Sequence, residues 1–444
     1  MDQNLLALLR RENPWLERAE IWPAAVASRL PGAYIPRAKP TLASFESEKG
    51  LRRKATLVVG PRQAGKSTWI WKQIEGLSPR VLFVNCELRR FREWCSDPGA
   101  FLSDLPGIVR DPALIFLEEA QHLDEAALIV KGLVDRGLPC PLVVTGSSGF
   151  HLRSRTRESL AGRARRVRLL PLSLEEVCHD LPTEAPLLDS QLRRERFERH
   201  AVVGGYPAAW QAARPDGELS ALVEAFVLRD ASDLYRIERP DAFRTLLMLV
   251  ARQVGSPVNL SEWASITGIS VPTVSAYLEI MEESHLVVRV PVHVGGKRAE
   301  LTSRPKIYFV DCGLRNCLAG GFAPLAERMD VGAVVENWVF SELYKSLPLA
   351  ATVAWWRTKS GAEVDFVVRE GDSLIGIEVK AASEGRPSLS RGARSFLEAY
   401  RPSHFFVATR GIEHEARIGA CRIQWVHAME LQAHLRELLG KRLP

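Results

Sequence analysis

The sequence predicts an α/β protein with more than one domain, and three observations support this class. The chain has 444 residues, 46% of them apolar and 25% charged, which is enough for about two to four hydrophobic cores. Near residue 60, an apolar run, a glycine-rich loop and a helical pattern follow one another. In the last third of the chain, strand and helix patterns alternate again.

The first of these units carries a phosphate-binding motif. The run 56–59 predicts a buried strand, and residues 68–74 have helical spacing. The loop between them fits G-x-x-x-x-G-K-[ST], a pattern whose backbone N–H groups surround phosphate oxygens at a helix N-terminus. We therefore expect ATP to be bound by Gly60, Pro61, Arg62, Gln63, Ala64, Gly65, Lys66, Ser67 and Thr68. Lys66 is expected to contact the β- and γ-phosphates, and the Ser67 hydroxyl is expected to contact Mg²⁺.

Two later apolar runs end in polar residues that suit the same site. The run 113–117 is followed by Glu118 and Glu119, and the run 142–144 by Thr145. The carboxyl ends of parallel strands line the ligand crevice, so these residues should lie beside Lys66. We expect Glu118 to hold Mg²⁺ through water and Glu119 to polarise the attacking water. Thr145 and the Gly146, Ser147 and Ser148 that follow it are expected to bring a hydroxyl near the γ-phosphate.

The next stretch, residues 151–168, is rich in arginine. Arg163 is our candidate for an arginine finger that reaches the nucleotide of a neighbouring subunit. The alternative is that this charge run forms a solvated face. Other arginines of the stretch are candidates for contacts with nucleic-acid phosphates.

Residues 259–278 predict a helix, a turn and a second helix, and two strand patterns follow, as in a winged helix. The second helix carries Glu279, Glu282 and Glu283 and no lysine or arginine. Helices that read the major groove are normally basic, so a structural role is favoured over base readout. The better candidates for contact with a nucleic-acid backbone are the basic wing residues Lys297, Arg298, Arg304 and Lys306.

A second group of chemically competent residues lies near the C-terminus. Residues 363–368 and 374–380 predict two strands joined by a tight turn. Side chains alternate along a strand, so Glu378 and Lys380 share a face, and a suitable register would place Asp365 opposite them. Asp365 and Glu378 would then suit Mg²⁺ or Mn²⁺, Lys380 would hold or deprotonate the attacking water, and Glu336 could complete the ligand set. The alternative is a set of exposed charges on a hairpin.

The hairpin with Asp365, Glu378 and Lys380, flanked by helices, resembles the PD-(D/E)XK restriction-endonuclease-like fold. From about residue 50 to 430 the chain resembles a prokaryotic family in which an AAA-type ATPase is fused to such a domain. The motifs that carry this resemblance are residues 60–67, 115–121, 145–147, 162–163, 171–173, 204–207, 306–311, 335–337 and 377–380. The family usually has aspartate where this chain has Glu118, which implies slower ATP hydrolysis.

The resemblance implies five regions. They are an N-terminal lead-in (1–50), a P-loop AAA-type ATPase core (51–175), a helical lid (176–215), a helical and winged-helix domain (216–300) and a nuclease-like α/β domain (301–444). It also implies a homo-oligomer, with a hexameric ring as one arrangement.

Composition limits the function classes. The net charge of +6 permits a polyanionic partner, and the seven scattered cysteines indicate a reducing compartment. The absence of a long apolar run excludes a membrane span, so we expect a cytoplasmic protein.

The leading hypothesis is an ATP-dependent and metal-dependent nuclease that acts on DNA, with branched or otherwise unusual DNA as one candidate substrate. The alternative is a regulatory or scaffolding ATPase whose nuclease-like domain binds nucleic acid or protein without cutting. A small-molecule phosphotransferase is a weaker third hypothesis, since it leaves much of the chain unexplained.

Overall fold

The computed structural model describes residues 2–39, 41–42, 54–146, 160–182, 184–226, 237–295, 304–348, 350–381 and 383–439. The chain divides into two compact units. The first ends at Pro171 and also includes Glu283–His285, and the second begins at Leu172. Within the described ranges, no helix is long and apolar enough to span a membrane.

The first unit is a parallel sheet with helices around it. Its strands are β1 (Ala55–Val59), β2 (Val81–Asn85), β3 (Leu114–Glu118), β4 (Leu142–Gly146) and β5 (Ala164–Arg168). Its helices are α1 (Gln3–Glu12), α2 (Trp22–Ala27), α3 (Lys66–Ile74), α4 (Arg89–Cys95), α5 (Pro98–Ile108) and α6 (Ala126–Asp135). The strand order is β2-β3-β4-β1-β5, and every pairing is parallel. The sequence prediction of an α/β class is confirmed for this unit.

Alternation along the strands gives this sheet two buried faces. Leu57 and Ile115 pack into one apolar cluster, and Val58 and Phe116 pack into another on the opposite face. A parallel sheet normally has both faces covered, which explains why its strands read as continuous apolar runs. The carboxyl ends of β1, β3 and β4 therefore meet at one edge, which positions the loop after β1 and the acids after β3.

The N-terminal residues close the free edge of this sheet at β2. The Asn13 side chain accepts a hydrogen bond from Phe83 N (2.7 Å) and donates one to Phe83 O (3.0 Å). Trp15 Nε1 donates to Val81 O (2.8 Å). These contacts satisfy backbone groups that an edge strand otherwise exposes. Ser147, Ser148 and the arginines from 153 to 157, which we predicted to lie near the nucleotide or nucleic acid, are outside the described residues.

The second unit contains helices and two further sheets. Its helices are α7 (Leu174–Val177), α8 (Pro186–Val203), α9 (Pro207–Gln211), α10 (Pro215–Ala225), α11 (Pro240–Arg252), α12 (Leu260–Thr267), α13 (Val271–Glu283), α14 (Cys312–Ala319), α15 (Val331–Ser346), α16 (Arg391–Tyr400) and α17 (Leu431–Leu439). Its strands are β6 (Val287–Val290), β7 (Lys306–Phe309), β8 (Thr352–Arg357), β9 (Glu363–Glu370), β10 (Ser373–Val379), β11 (His404–Thr409), β12 (His414–Ile418) and β13 (Cys421–His427).

The larger sheet has the order β12-β13-β11-β10-β9-β8. The pairs β10–β11 and β11–β13 are parallel, and the other pairs are antiparallel. Strands β9 and β10 form the predicted hairpin, with Ile377 opposite Phe366. An apolar cluster that includes Phe396 of α16 packs against Val364 and Val367 of this sheet.

Helices α12 and α13 and then the antiparallel pair β6–β7 follow one another in the order that the sequence predicts for a winged helix, and that assignment stays a prediction. Gly268 ends α12 in the left-handed conformation (φ 64°), which glycine adopts without steric cost. The pair β6–β7 joins residues on both sides of the boundary predicted at residue 300, so the five-part division stays a prediction.

The prediction that Lys306 is a backbone-contacting wing residue is wrong. Its side chain is 3% exposed and pairs with carboxylates of the same unit. Lys297 and Arg298 lie outside the described ranges, while Arg304 is exposed.

A buried aspartate explains the spacing of two sequence motifs. Asp311 caps α14 by accepting from Leu314 N (3.0 Å) and also accepts from Gly205 N (2.7 Å). A Cβ on Gly204 would lie 2.2 Å from Asp311 Oδ1, and one on Gly205 would lie 2.0 Å from Leu172 O. The glycine pair is therefore required for the backbone to approach this closely.

Candidate functional site

The phosphate loop connects β1 to α3, as its motif predicts. Gly65 is the N-cap of α3 in the left-handed conformation (φ 89°), so the loop turns directly into the helix. A Cβ on Gly60 would lie 1.8 Å from Leu169 O, which makes glycine necessary at this close approach to the end of β5. Ala64 is fully buried, and Gln63 has a positive φ of 57°.

The Lys66 side chain is held inside this loop. It is 4% exposed, and its ammonium donates to Gly60 O (3.0 Å) and Pro61 O (2.8 Å). Arg62 and Thr68 are half-buried on the same loop and helix. The loop thus surrounds a fixed positive charge, which is the arrangement that the motif requires for β- and γ-phosphate binding.

The two residues predicted to hold Mg²⁺ lie together. Glu118 lies at the end of β3, close enough to Ser67 for the serine hydroxyl to affect its pKa. Burial raises the pKa of Glu118, while the Ser67 hydroxyl and the charge of Arg29 act in the opposite direction. A hydroxyl and a carboxylate near one another at a helix N-terminus offer oxygen ligands, which Mg²⁺ prefers.

Glu119 occupies the turn directly after β3. Its φ is 52°, and its backbone N–H donates to Thr145 Oγ1 (3.0 Å) at the end of β4. Its carboxylate accepts from Gln121 Nε2. The structure therefore brings Thr145 and Glu119 into direct contact, and it adds Gln121, which sequence reasoning did not single out. Within the described residues, Glu87, Glu119 and His122 also offer ligand atoms within 4.8 Å of one another.

Arg163, the candidate arginine finger, pairs within its own chain. Its Nε donates to Asp135 Oδ1 (2.5 Å), and this contact lowers the pKa of Asp135. Reaching a neighbouring nucleotide therefore requires this pair to open, and the finger role stays a prediction.

The hairpin residues predicted as a second centre lie close together on β9 and β10. Asp365 accepts from Val379 N (2.8 Å), and Glu378 accepts from Ser390 Oγ (3.0 Å). Lys380 Nζ lies 3.8 Å from Glu378 Oε1 and donates to Ser388 O (2.9 Å). The pairing of β9 with β10 therefore has the register that the sequence analysis required for a shared centre.

Lys306 joins further acids to Asp365. Its Nζ lies 2.6 Å from Glu363 Oε1, 3.3 Å from Glu336 Oε1 and 3.9 Å from Asp365 Oδ1. Tyr308 OH donates to Glu336 Oε1 (2.6 Å). Sequence reasoning missed Lys306, Glu363 and Tyr308 as members of this cluster. The available signal was period-two spacing, since 306 and 308, and 363 and 365, each share a strand face.

Burial and neighbouring charges shift the pKa values of the residues in this cluster. Burial and the neighbouring Glu336 raise the pKa of Asp365 to about 7, although Lys306 opposes the shift. Burial also raises the pKa of Glu378. Burial disfavours the charged form of Lys306, but the carboxylates of Glu336, Asp365 and Glu363 outweigh it and raise the lysine pKa. Perturbed carboxylates beside a lysine are typical of functional sites.

The raised pKa of Asp365 predicts a pH-dependent stability. Its value of about 7 exceeds the ordinary value of 3.8, so the folded state favours the protonated carboxyl. The stabilisation is present below about pH 4 and is lost as the pH rises through 7. We expect Asp365→Asn to abolish this pH-dependent part of the stability, measured by thermal unfolding of the full chain in EDTA at a series of pH values. The exposed Asp372→Asn is the control and should keep the wild-type profile. A wild-type profile in Asp365→Asn would contradict the assignment.

The chain has close relatives of similar length. It is 30% identical over 356 residues to an uncharacterized protein of Mycobacterium bovis, and the alignment covers 78% of this chain and 74% of the relative. The chain belongs to the family of this mycobacterial protein. The same figures hold for an uncharacterized family member of Mycobacterium tuberculosis. An uncharacterized protein of Haemophilus influenzae is 26% identical over 342 residues, covering 73% of this chain and 81% of that protein.

Three domain families match successive parts of this family member. Residues 52–178 match an AAA domain, residues 194–324 match the domain of unknown function DUF8612, and residues 331–429 match the domain of unknown function DUF4143. The first match agrees with the phosphate loop and parallel sheet. The first unit therefore contains a P-loop AAA-type ATPase domain, as the sequence predicts.

Two solved structures also align with the chain. The Orc1 protein of Aeropyrum pernix in complex with DNA is 14% identical, with 68% of this chain and 92% of that chain covered and a TM-score of 0.29. Cdc6p of Pyrobaculum aerophilum is 15% identical, with 59% and 90% covered and a TM-score of 0.27. At TM-scores this low, the two alignments carry no argument about fold or function.

Proposed function

We propose that this protein hydrolyses ATP with Mg²⁺ and uses its C-terminal domain for metal-dependent cleavage of nucleic acid, with DNA as the substrate. The observation that carries the cleavage proposal is the clustering of Asp365, Glu378 and Lys380 at the end of the β9–β10 hairpin, where Asp365 accepts from Val379 N and Lys380 Nζ lies 3.8 Å from Glu378. This set fits the PD-(D/E)XK pattern that the sequence resembles. We assign the nuclease-like fold to residues 301–444 on the same ground.

At the ATP site, each residue has a role that its position supports. Lys66 supplies positive charge inside the loop, and Ser67 and Glu118 together would hold Mg²⁺, which neutralises phosphate charge when bound. Glu119 would accept a hydrogen bond from the attacking water, and Thr145 holds the backbone of Glu119 in place. Glu118 is one methylene longer than the usual aspartate, so slow hydrolysis is expected.

Glu119→Gln should retain ATP binding and lower hydrolysis by at least about a hundredfold. The amide keeps the shape of the side chain but loses the carboxylate that orients the water. The measurement is phosphate release together with binding of a fluorescent ATP analogue. Glu125→Gln, an exposed position of the same segment, is the control and should be unaffected. If Glu118→Gln fails instead and Glu119→Gln turns over normally, the two roles are reversed.

The donor set of the C-terminal cluster fits a hard divalent cation. Asp365 and Glu378 offer carboxylate oxygens, and Glu336 lies close enough to Asp365 to raise its pKa. These residues would hold Mg²⁺ or Mn²⁺, which on binding stabilises negative charge on a phosphodiester. Lys380, beside Glu378, would hold and orient the attacking water. Ser390 fixes the Glu378 carboxylate through its hydroxyl.

One observation favours the second candidate, a domain that binds nucleic acid or protein without cutting. Lys306 already supplies a cation to Glu336, Glu363 and Asp365. Among the described residues, the carboxylate oxygens of Glu336, Asp365 and Glu378 do not all lie within 4.8 Å of one another, the spacing at which three side chains could share one metal ion. Metal binding at this cluster therefore requires the carboxylates to rearrange around the Lys306 ammonium.

A cleavage assay distinguishes the two candidate functions. The full chain is incubated with plasmid, linear, single-stranded and branched DNA, and with RNA, in Mg²⁺, Mn²⁺ or EDTA, with and without ATP. Metal-dependent products support the nuclease proposal. Binding without products on every substrate favours the second candidate.

A further inference from the structure

A groove of about 970 Å³ lies on the C-terminal domain. One wall is helix α16, and the other is formed by strands β12 and β13. Its floor is apolar and includes Leu389, Leu397 and Cys421. The volume is in the range of clefts that bind ligands in other proteins.

Two aromatic residues lie in the wall of this groove. Trp425 lines the groove and is only 5% exposed. His414, directly opposite on β12, is exposed, and its ring centroid lies 5.3 Å from that of Trp425.

Two free positive charges stand on the rim. Arg394 lies on α16 and Arg401 caps the C-terminus of this helix, about 10 Å further along, and both residues line the groove. Within the described residues, neither guanidinium group makes a hydrogen bond or an ion pair, and both residues are exposed. Glu398 is the one acid in the lining, so the rim charge is positive overall.

The groove is connected to the candidate cleavage centre through a short loop. Ser388 lines the groove and accepts from Lys380 Nζ (2.9 Å). Two residues later, Ser390 Oγ donates to Glu378 Oε2 (3.0 Å). The groove and the candidate cleavage centre therefore lie on either side of the loop 388–390.

We propose that this groove binds a single-stranded segment of the nucleic acid, an assignment that rests on the proposed function. An unpaired base would stack on the exposed His414 ring, while phosphates would pair with Arg394 and Arg401. Bases in a duplex are stacked and paired, so their faces cannot enter an apolar groove, whereas single strands offer both bases and phosphates.

The test is fluorescence anisotropy of a labelled oligothymidylate of about twelve nucleotides with the full chain in EDTA. Arg394→Ala combined with Arg401→Ala should weaken binding about tenfold or more at low salt. It should also reduce the slope of log K against log salt by about 1.4, as for two lost phosphate contacts. His414→Ala removes the exposed ring and should weaken binding about fivefold or more, as expected for the loss of one base-stacking contact. Arg391→Ala, on the same helix but outside the groove lining, is the control.

The other possible results distinguish an error in the groove assignment from an error in the proposed function. If all groove variants bind the oligonucleotide like the wild type, with an unchanged salt slope, the groove assignment is overturned and the proposed function stands. If they lose affinity for an equally long duplex as much as for the single strand, the single-strand assignment is overturned. If the wild type binds neither, the proposed function itself fails. Thermal unfolding of each variant confirms that it is folded.

Discussion

Replacing Lys66 by alanine should lower the rate of ATP hydrolysis by at least about a hundredfold. A loss of this size is expected when an enzyme loses one fixed group that stabilises the charge developing in the transition state. The Lys66 ammonium is buried inside the loop and is held there by the carbonyls of Gly60 and Pro61. No other cation of helix α3 can replace it, because Lys72 lies in the last turn and pairs with Glu75 (2.6 Å).

The measurement is phosphate release at saturating ATP and Mg²⁺. Lys72→Ala is a matched control on the same helix, since its side chain is 40% exposed, and it should keep wild-type turnover. Hydrolysis by Lys66→Ala at the wild-type rate would rule out the phosphate loop as the site of turnover.

Replacing Lys306 by methionine should lower the free energy of unfolding by about 3–5 kcal/mol, the usual cost of removing one partner from a buried charge pair. The variant keeps the volume of the side chain but leaves Glu336, Glu363 and Asp365 without their shared cation. Part of the loss should return when Glu363 is also replaced by glutamine, since that removes the acid nearest to the lost ammonium (2.6 Å).

Urea unfolding of the full chain measures this effect, with Lys380→Met as the matched control. Lys380 is 29% exposed and lies 3.8 Å from Glu378, so its loss should cost about 1 kcal/mol or less. Equal stability of Lys306→Met and the wild type would show that the acids do not depend on this lysine.

The ATP site could be predicted from sequence because its residues are adjacent in the chain or stand at strand ends. Gly60 to Ser67 form one continuous motif, and parallel strands necessarily bring Glu118, Glu119 and Thr145 to the same sheet edge. Gln121 could not be predicted as a partner of Glu119, because that contact depends on the left-handed turn at Glu119.

The C-terminal cluster could be predicted only in part. Asp365, Glu378 and Lys380 belong to one hairpin, so alternation and a turn were enough to bring them together. Lys306 follows several exposed-looking basic residues. Period-two spacing shows that Lys306 and Tyr308 share a strand face, but it does not show that this face turns inward. Its partner Glu336 lies 30 residues later on a helix, and only tertiary packing of α15 beside β7 joins them.

The resemblance to a fused ATPase predicts the domain order, and the boundaries stay predictions. Strand β7, which pairs with β6 across the boundary predicted at residue 300, carries Lys306 and Tyr308 into the acid cluster. Residue spacing cannot show this, because it depends on how β7 packs against the neighbouring helix and strand.

The most direct test of the central claim is the metal-dependent cleavage rate of wild type, Asp365→Asn and Lys66→Ala on the same branched DNA. We predict that the wild type cuts with Mg²⁺ or Mn²⁺ and not with EDTA. Asp365→Asn should lose cleavage while hydrolysing ATP normally, and Lys66→Ala should lose ATP hydrolysis. Equal cleavage by Asp365→Asn and wild type would contradict the assignment of the cutting site to this cluster.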